Sequence, residues 1–341
     1  MFPLHLRPFA LVFCFSVVIF LLGACATHQP AAGKTIGSIE RLDPALNNVI
    51  TGNAVVEIIA EGHEWSEGPL WLPRQKMLIY SDVPRNSIYK WTQKGGATLY
   101  MQPSGYTSAE RRRGETGSNG LALDNEGRLL LCQHGDRRIA RMVAPLNAPA
   151  PVFSTVAASY DSKKFNSPND LAVHANGDIY FTDPPYGLEK HMEDPKKETP
   201  YQGVYKVKSN GKVVLLTDSI SRPNGIVLTP DGKTLIVANS DGAKPYWYAY
   251  DVNGDSLNNG RLFYDATAES KQMPGGNDGL KIDSKGNVFA TGPGGVWIFN
   301  AGGKVLGRIR VPAATSNCAL SDDEKTLFIT ADMYVLRVKM R

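Results

Sequence analysis

From about residue 50 to the C-terminus, apolar and polar positions alternate in short runs, and the runs recur as a unit. The clearest copies are Asn119–Gly127 followed by Arg128–Cys132, Asn169–Gly177 followed by Asp178–Thr182, Asn224–Gly232 followed by Lys233–Ala238, and Asp278–Gly286 followed by Asn287–Thr291. Looser copies begin at Glu67 and Asn317. In each, period-two alternation rich in β-branched and aromatic residues reads as a strand, a Gly-containing turn reverses the chain, and a second strand returns. Third strands follow at Ser87–Trp91, Gly203–Val207, Tyr246–Tyr250 and Gly295–Phe299, and fourth strands at Val213–Thr217 and Gly307–Val311. The units start at 67, 119, 169, 224, 278 and 317, which are 52, 50, 55, 54 and 39 residues apart. Four strands per unit, six times over, predict an all-β chain folded as a six-bladed β-propeller. A two-sheet sandwich would hold six equivalent units poorly. The last unit is one strand short, and the spare strand Val55–Ala60 is expected to complete it, closing the ring without an open sheet edge.

Ahead of the repeat the pattern changes. Arg7 precedes an uncharged apolar run, Phe9–Leu22, which ends in Leu22-Gly23-Ala24-Cys25. The run is too short to cross a bilayer and ends in a cleavage-type site, so residues 1–24 are expected to be a secretion signal. A cysteine placed directly after those small residues reads as a lipobox, with Cys25 the lipidated first residue of the mature chain. Ala26, where an Asp would argue for inner-membrane retention, points to the outer membrane, facing the periplasm. Residues 25–45 are poor in apolar side chains and are expected to be a flexible tether, with the propeller spanning 46–341. Removing the signal leaves 341 − 24 = 317 residues. The formal charge of +4 is small and evenly spread, which argues against a nucleic-acid partner. Arg111-Arg112-Arg113 reads as a solvated loop. Cys132 and Cys318 lie in different units, so no disulfide framework is indicated. The expected partners are a small molecule and, through the lipid, a membrane; the expected state is a monomer.

The repeat also points at a site. In a propeller the first strand of every blade is innermost and all six run the same way, so the residues that open them converge on one mouth of the channel. Those residues are Glu67, Asn119, Asn169, Asn224, Asp278 and Asn317. The second strands return to the same mouth and add Asp82, His134, Asp183 and Asn239. Any single Asn-Gly is a common turn, but Glu67 opens a Glu-Gly-Pro sequence and Asn169 precedes Asp170. A ring of carboxylates and amides repels itself unless a cation sits within it. Hard oxygen donors suit Ca²⁺, with Mg²⁺, Mn²⁺ or Zn²⁺ as alternatives; there is no His/Cys cluster with zinc spacing.

These stretches resemble the senescence marker protein/gluconolactonase/luciferin-regenerating-enzyme family, in particular its bacterial gluconolactonase-like branch. The resemblance is carried by Ser66–Trp71, His134–Arg138, Ser167–Leu171, Phe181–Leu188, Arg222–Gly225 and Thr291–Trp297. It implies a divalent cation, usually Ca²⁺, held by Glu67, Asn169, Asn224 and Asp278, and hydrolysis of a lactone with Asp278 as general base. Animal members carry an Arg where Ser167 stands here, so the sugar contacts are expected to differ.

The leading expectation is therefore metal-dependent hydrolysis of a sugar lactone. The metal would polarise the carbonyl and stabilise the oxyanion, while Asp278 or Asp170 accepts the proton of the attacking water. His134 is read either as a substrate or proton-handling residue or as a second-ring side chain held by its neighbours. Asn119 is read as a substrate contact or as a plain turn residue. The insertions Met101–Ser118 and Pro184–Gln202 reach over the same mouth as candidate lids. No Gly-x-Ser-x-Gly elbow supports serine-esterase chemistry. The alternatives are a phosphotriesterase-type hydrolase on the same scaffold, a non-catalytic envelope scaffold, and a calcium-dependent sugar-binding propeller.

Overall fold

The computed structural model describes Met1 and residues 33–341, and Gly33–Arg341 forms one compact unit. The expected signal and the lipid site at Cys25 lie outside the described residues. Six antiparallel sheets, five of four strands and one of five, follow one another along the chain, each starting from an inner strand. The inner strands are Ser66–Leu72, Ser118–Leu123, Leu171–Val173, Pro223–Leu228, Leu280–Ile282 and Thr315–Leu320. Each touches the next and the sixth touches the first, so the blades close into a ring around a central channel.

Ring closure follows the sequence expectation. Val56–Glu61 pairs antiparallel with Tyr334–Lys339 as the outer strand of blade six, with Val56 opposite Val338. The N-terminal boundary is corrected. Ser38–Arg41, expected within the tether, is a fifth strand on blade five, pairing with Val305–Arg310, and a short 3₁₀ turn at Pro44–Asn48 follows it. The strand is short of apolar residues because it lies at the sheet edge. Glu40 holds it there through Arg308, whose Nε donates to Oε2 over 2.7 Å.

The glycine in the repeated Asn-Gly or Asp-Gly pair has a different cause from a tight turn. It is where one inner strand approaches the opener of the next. A Cβ on Gly120 would lie 2.7 Å from the Asn169 carbonyl oxygen, and one on Gly225 would lie 2.3 Å from that of Asp278. The chain reversal sits at the far end of the strand. There a four-residue turn such as Asp124–Gly127 closes with Gly127 N–H donating to Asp124 O over 2.8 Å, and Gly127 at a φ of 76°. Between blades, alternate strand residues interlock as apolar clusters, for example Leu72, Ile79, Ile88, Leu121, Leu129 and Leu131 across blades one and two. Cys132 and Cys318 are buried free thiols.

Candidate active site

At the opener end of the channel lies a cavity of about 190 Å³. Glu67, Asn119, Asn169, Asn224 and Asp278, five of the six predicted openers, line it. Glu67 is buried and its Oε2 accepts only the neighbouring Gly68 N–H, over 2.9 Å. Burial, then the charges of Asp170 and Glu115, hold its carboxyl well above the usual range. Asp278 is raised too, first by burial and then by Glu67 and Glu115. Oδ1 of Asn119, Oδ1 of Asn224 and Oδ1 of Asp278 are sealed from solvent and have no hydrogen-bond partner. Buried polar atoms are normally satisfied, so two mutually repelling carboxyls beside orphaned amide oxygens mark a cradle for a positive charge.

A hard divalent cation fits that cradle. Among the described residues no group of three His, Cys, Asp or Glu side chains is placed to hold a metal. The donor set is instead two carboxylates, Glu67 and Asp278, which match a double charge, with the amide oxygens of Asn169 and Asn224. All are oxygen donors, as Ca²⁺ or Mg²⁺ prefers, and no thiolate or imidazole that would favour Zn²⁺ lines the cavity.

Several sequence expectations are relocated. Asp170 does not line the cavity. Its Oδ2 lies 3.4 Å from Lys281 Nζ and accepts Asn317 Nδ2 over 3.2 Å, while Oδ1 accepts the Leu171 N–H. It occupies the position that is glycine in four of the other blades, and it forms a buried network with Lys281 and Asn317. Asn317, the sixth opener, belongs to this network and not to the cradle.

The proposed second ring also turns away. Asp82 accepts the N–H groups of Glu64 and Trp65, Asp183 those of Asn166 and Ser167, and Asn239 Oδ1 that of Arg222. Each braces the segment that leads into the opener of its own blade. Burial pushes Asp183 up to about 7 despite those two backbone donors. His134 is the exception. Fully buried, it has Nε2 3.5 Å from Asn169 Nδ2 and Nδ1 3.3 Å from Glu115 Oε2. It therefore touches a cradle residue and not the cavity, and orients the Asn169 amide so that Oδ1 is the atom left for the site.

Both insertions reach the mouth. The first supplies Glu115 and the second Tyr186, and Trp65, Ser240 and Asn277 complete the wall. Asn277 is buried with neither amide atom partnered. Repeat reasoning missed these residues because none stands at an opener position. The one available signal for Asn277 was its place next to Asp278 after Gly275-Gly276. Arg112, read as part of a solvated run, is a clamp. Its guanidinium donates to Gly135 O over 2.8 Å and to Gly187 O, joining the two insertions, and it lies over the Tyr106 ring.

Comparison with known proteins agrees with this architecture. The family model described as SMP-30/Gluconolactonase/LRE-like region matches residues 65–332. A gluconolactonase of Zymomonas mobilis is 38% identical over 326 residues, covering 93% of this chain and 90% of its own length. The solved structure of a gluconolactonase of Xanthomonas campestris superposes with a TM-score of 0.76 at 27% identity, over 91% of this chain and 99% of that one. A regucalcin from Agrobacterium tumefaciens, a calcium-binding protein, shares the fold with a TM-score of 0.62 at 18% identity, over 83% of this chain and 94% of its own.

Proposed function

The chain belongs to the SMP-30/gluconolactonase/LRE-like family, and from that premise we propose that it hydrolyses sugar lactones at the opener end of the propeller with the help of a divalent cation. The observation that carries the reading is the cradle itself: Glu67 and Asp278 forced together in burial, with unpartnered oxygens on Asp278 and Asn224. Relatives named as gluconolactonases in Zymomonas and Xanthomonas support the substrate class. The calcium-binding regucalcin of the same fold is in keeping with a divalent ion.

Glu67, Asn169, Asn224 and Asp278 would hold the cation, which supplies polarisation of the lactone carbonyl and charge stabilisation of its oxygen. With positive charge beside it, Asp278 is held as the carboxylate and accepts a proton from water. The water oxygen bonds to the carbonyl carbon, the ring C–O bond breaks, and the ring oxygen takes the proton back from Asp278 and leaves as a hydroxyl, after which the new carboxylic acid ionises. The products are a carboxylate and a proton. Asn119 Oδ1 and the Asn277 amide, buried without partners, are available to substrate hydroxyls. Trp65 and Tyr186 wall the sugar from bulk water. His134 acts through Asn169, whose amide it orients.

For location, Cys25 as a lipidated residue in the envelope is the reading of the N-terminal pattern, with a monomeric body facing the periplasm. The direct test is acid release from a panel of aldonolactones with and without chelator. Chelator-sensitive turnover that disappears in Asp278→Ala supports the proposal, whereas cation binding without turnover of any lactone removes it. Metabolic labelling with palmitate that fails to mark Cys25 removes the lipid anchor.

A further inference from the structure

Two cavities adjoin at the mouth, and they differ in charge. The inner one carries the carboxylates of Glu67, Glu115 and Asp278, and none of its described lining residues is lysine, arginine or histidine. The outer one, about 510 Å³, carries Arg112, Arg113 and His191. Glu115 lines both. Its side chain is about a third exposed, 33%, and Oε2 stands 3.3 Å from Nδ1 of fully buried His134, at the boundary between the two cavities. A divalent cation balances Glu67 and Asp278, and Asp170 beneath them is already paired with Lys281. Glu115 makes no ion pair with a lysine or arginine among the described residues and stands as a third carboxylate facing the ligand.

We propose that Glu115 determines specificity as a charge gate. It admits uncharged polyhydroxy lactones and disfavours ligands that bring an anionic group, whether a phosphate ester, a second carboxylate or the product of the reaction. The proposal rests on the lactonase reading and deepens it. Hydrolysis turns a neutral ring ester into a carboxylate and a proton, so the reaction creates an anion beside Glu115 and next to a basin that carries basic residues. Like-charge repulsion at ~6–8 Å in a partly wet site, with an effective dielectric constant of ~20, corresponds to roughly a ten- to hundredfold change in affinity.

The experiment compares wild type, Glu115→Gln and Glu115→Asp. It measures kcat/KM on glucono-1,5-lactone and on its 6-phosphate, together with inhibition by gluconate. Wild type is expected to prefer the neutral lactone at least about tenfold. Glu115→Gln should raise relative turnover of the phosphate ester about tenfold and tighten gluconate inhibition to match, while Glu115→Asp keeps the wild-type preference. A wild type active on the neutral lactone, with both the ratio and the gluconate inhibition unmoved in Glu115→Gln, overturns the gate and leaves the lactonase standing. A wild type inactive on every lactone overturns both.

Discussion

Blades two to six place acidic or amide side chains at both ends of the inner strand, and the two ends treat them in opposite ways. At the far turns Asp124, Asp231, Asp283 and Asp323 are all paired. Asp283 accepts the N–H groups of Lys285 and Asn287 and the Asn287 side-chain amide, and Asp231 and Asp323 accept a hydroxyl and a backbone N–H each. Those bonds hold the Asp231 and Asp323 carboxyls below the usual range. At the mouth, Glu67 and Asp278 are pushed up by burial and then by the carboxylates around them, and neighbouring amide oxygens stay unpartnered. Residue type does not separate structure from function here; satisfaction does. A paired Asp completes a turn, and an unpaired one is held ready for something the chain does not contain.

The sharpest way to break this contrast is to remove a mouth carboxylate. Asp278→Asn should cost about 10²–10⁴-fold in kcat/KM, while the chelated protein melts at the same temperature or higher, because a buried like-charge pair is relieved. A lowered melting point of the chelated variant would mean that Asp278 is structural after all. At the far turn the outcome reverses. Asp283→Ala strands two backbone N–H groups and should cost about 1–3 kcal/mol in urea unfolding, with kcat/KM of the folded protein unchanged.

The contrast also explains what the sequence could show. The repeat exposes register, so the six inner strands, their openers and the closing strand Val56–Glu61 were all readable from alternation alone. Pairing is not readable. Asp82, Asp183 and Asn239 carry the same groups as the openers at the same mouth, and only three-dimensional partners show them turned to backbone. Asp170 looked like a base because it follows Asn169. Its partners, Lys281 and Asn317, lie more than a hundred residues away. Glu115 and Asn277 sit in connections that have no repeat register, and Ser38–Arg41 gains its strand from an edge that belongs to blade five.

Asn277 sharpens the comparison at smaller scale. Its amide is buried with both atoms free, so Asn277→Ala should lower kcat/KM about tenfold, mostly through KM, without loss of thermal stability. A clear fall in melting temperature would place Asn277 with the paired groups.

The smallest effect is the most diagnostic, because it reads pairing directly. Asp124 sits at the far turn of blade two. Burial alone would raise its carboxyl, but it accepts the Arg128 N–H over 2.9 Å, the Arg128 Nε over 2.8 Å, the Glu126 N–H and the Arg141 Nε, and these pull it below its ordinary value of 3.8. A carboxyl with a depressed folded pKa stabilises the protein above its unfolded pKa, and that contribution is lost as pH falls through the folded one. Asp124→Asn should therefore cost about 1 kcal/mol at pH 7 by urea unfolding, and the gap to wild type should narrow steadily below about pH 4. Half-exposed arginine partners lose strength in salt, so the gap should also shrink as ionic strength rises. A gap that stayed constant with pH would mean that the bonds at this turn do not depend on charge. The turn would then owe its order to the backbone alone, and the distinction drawn between the two ends of the blades would fail at its paired end.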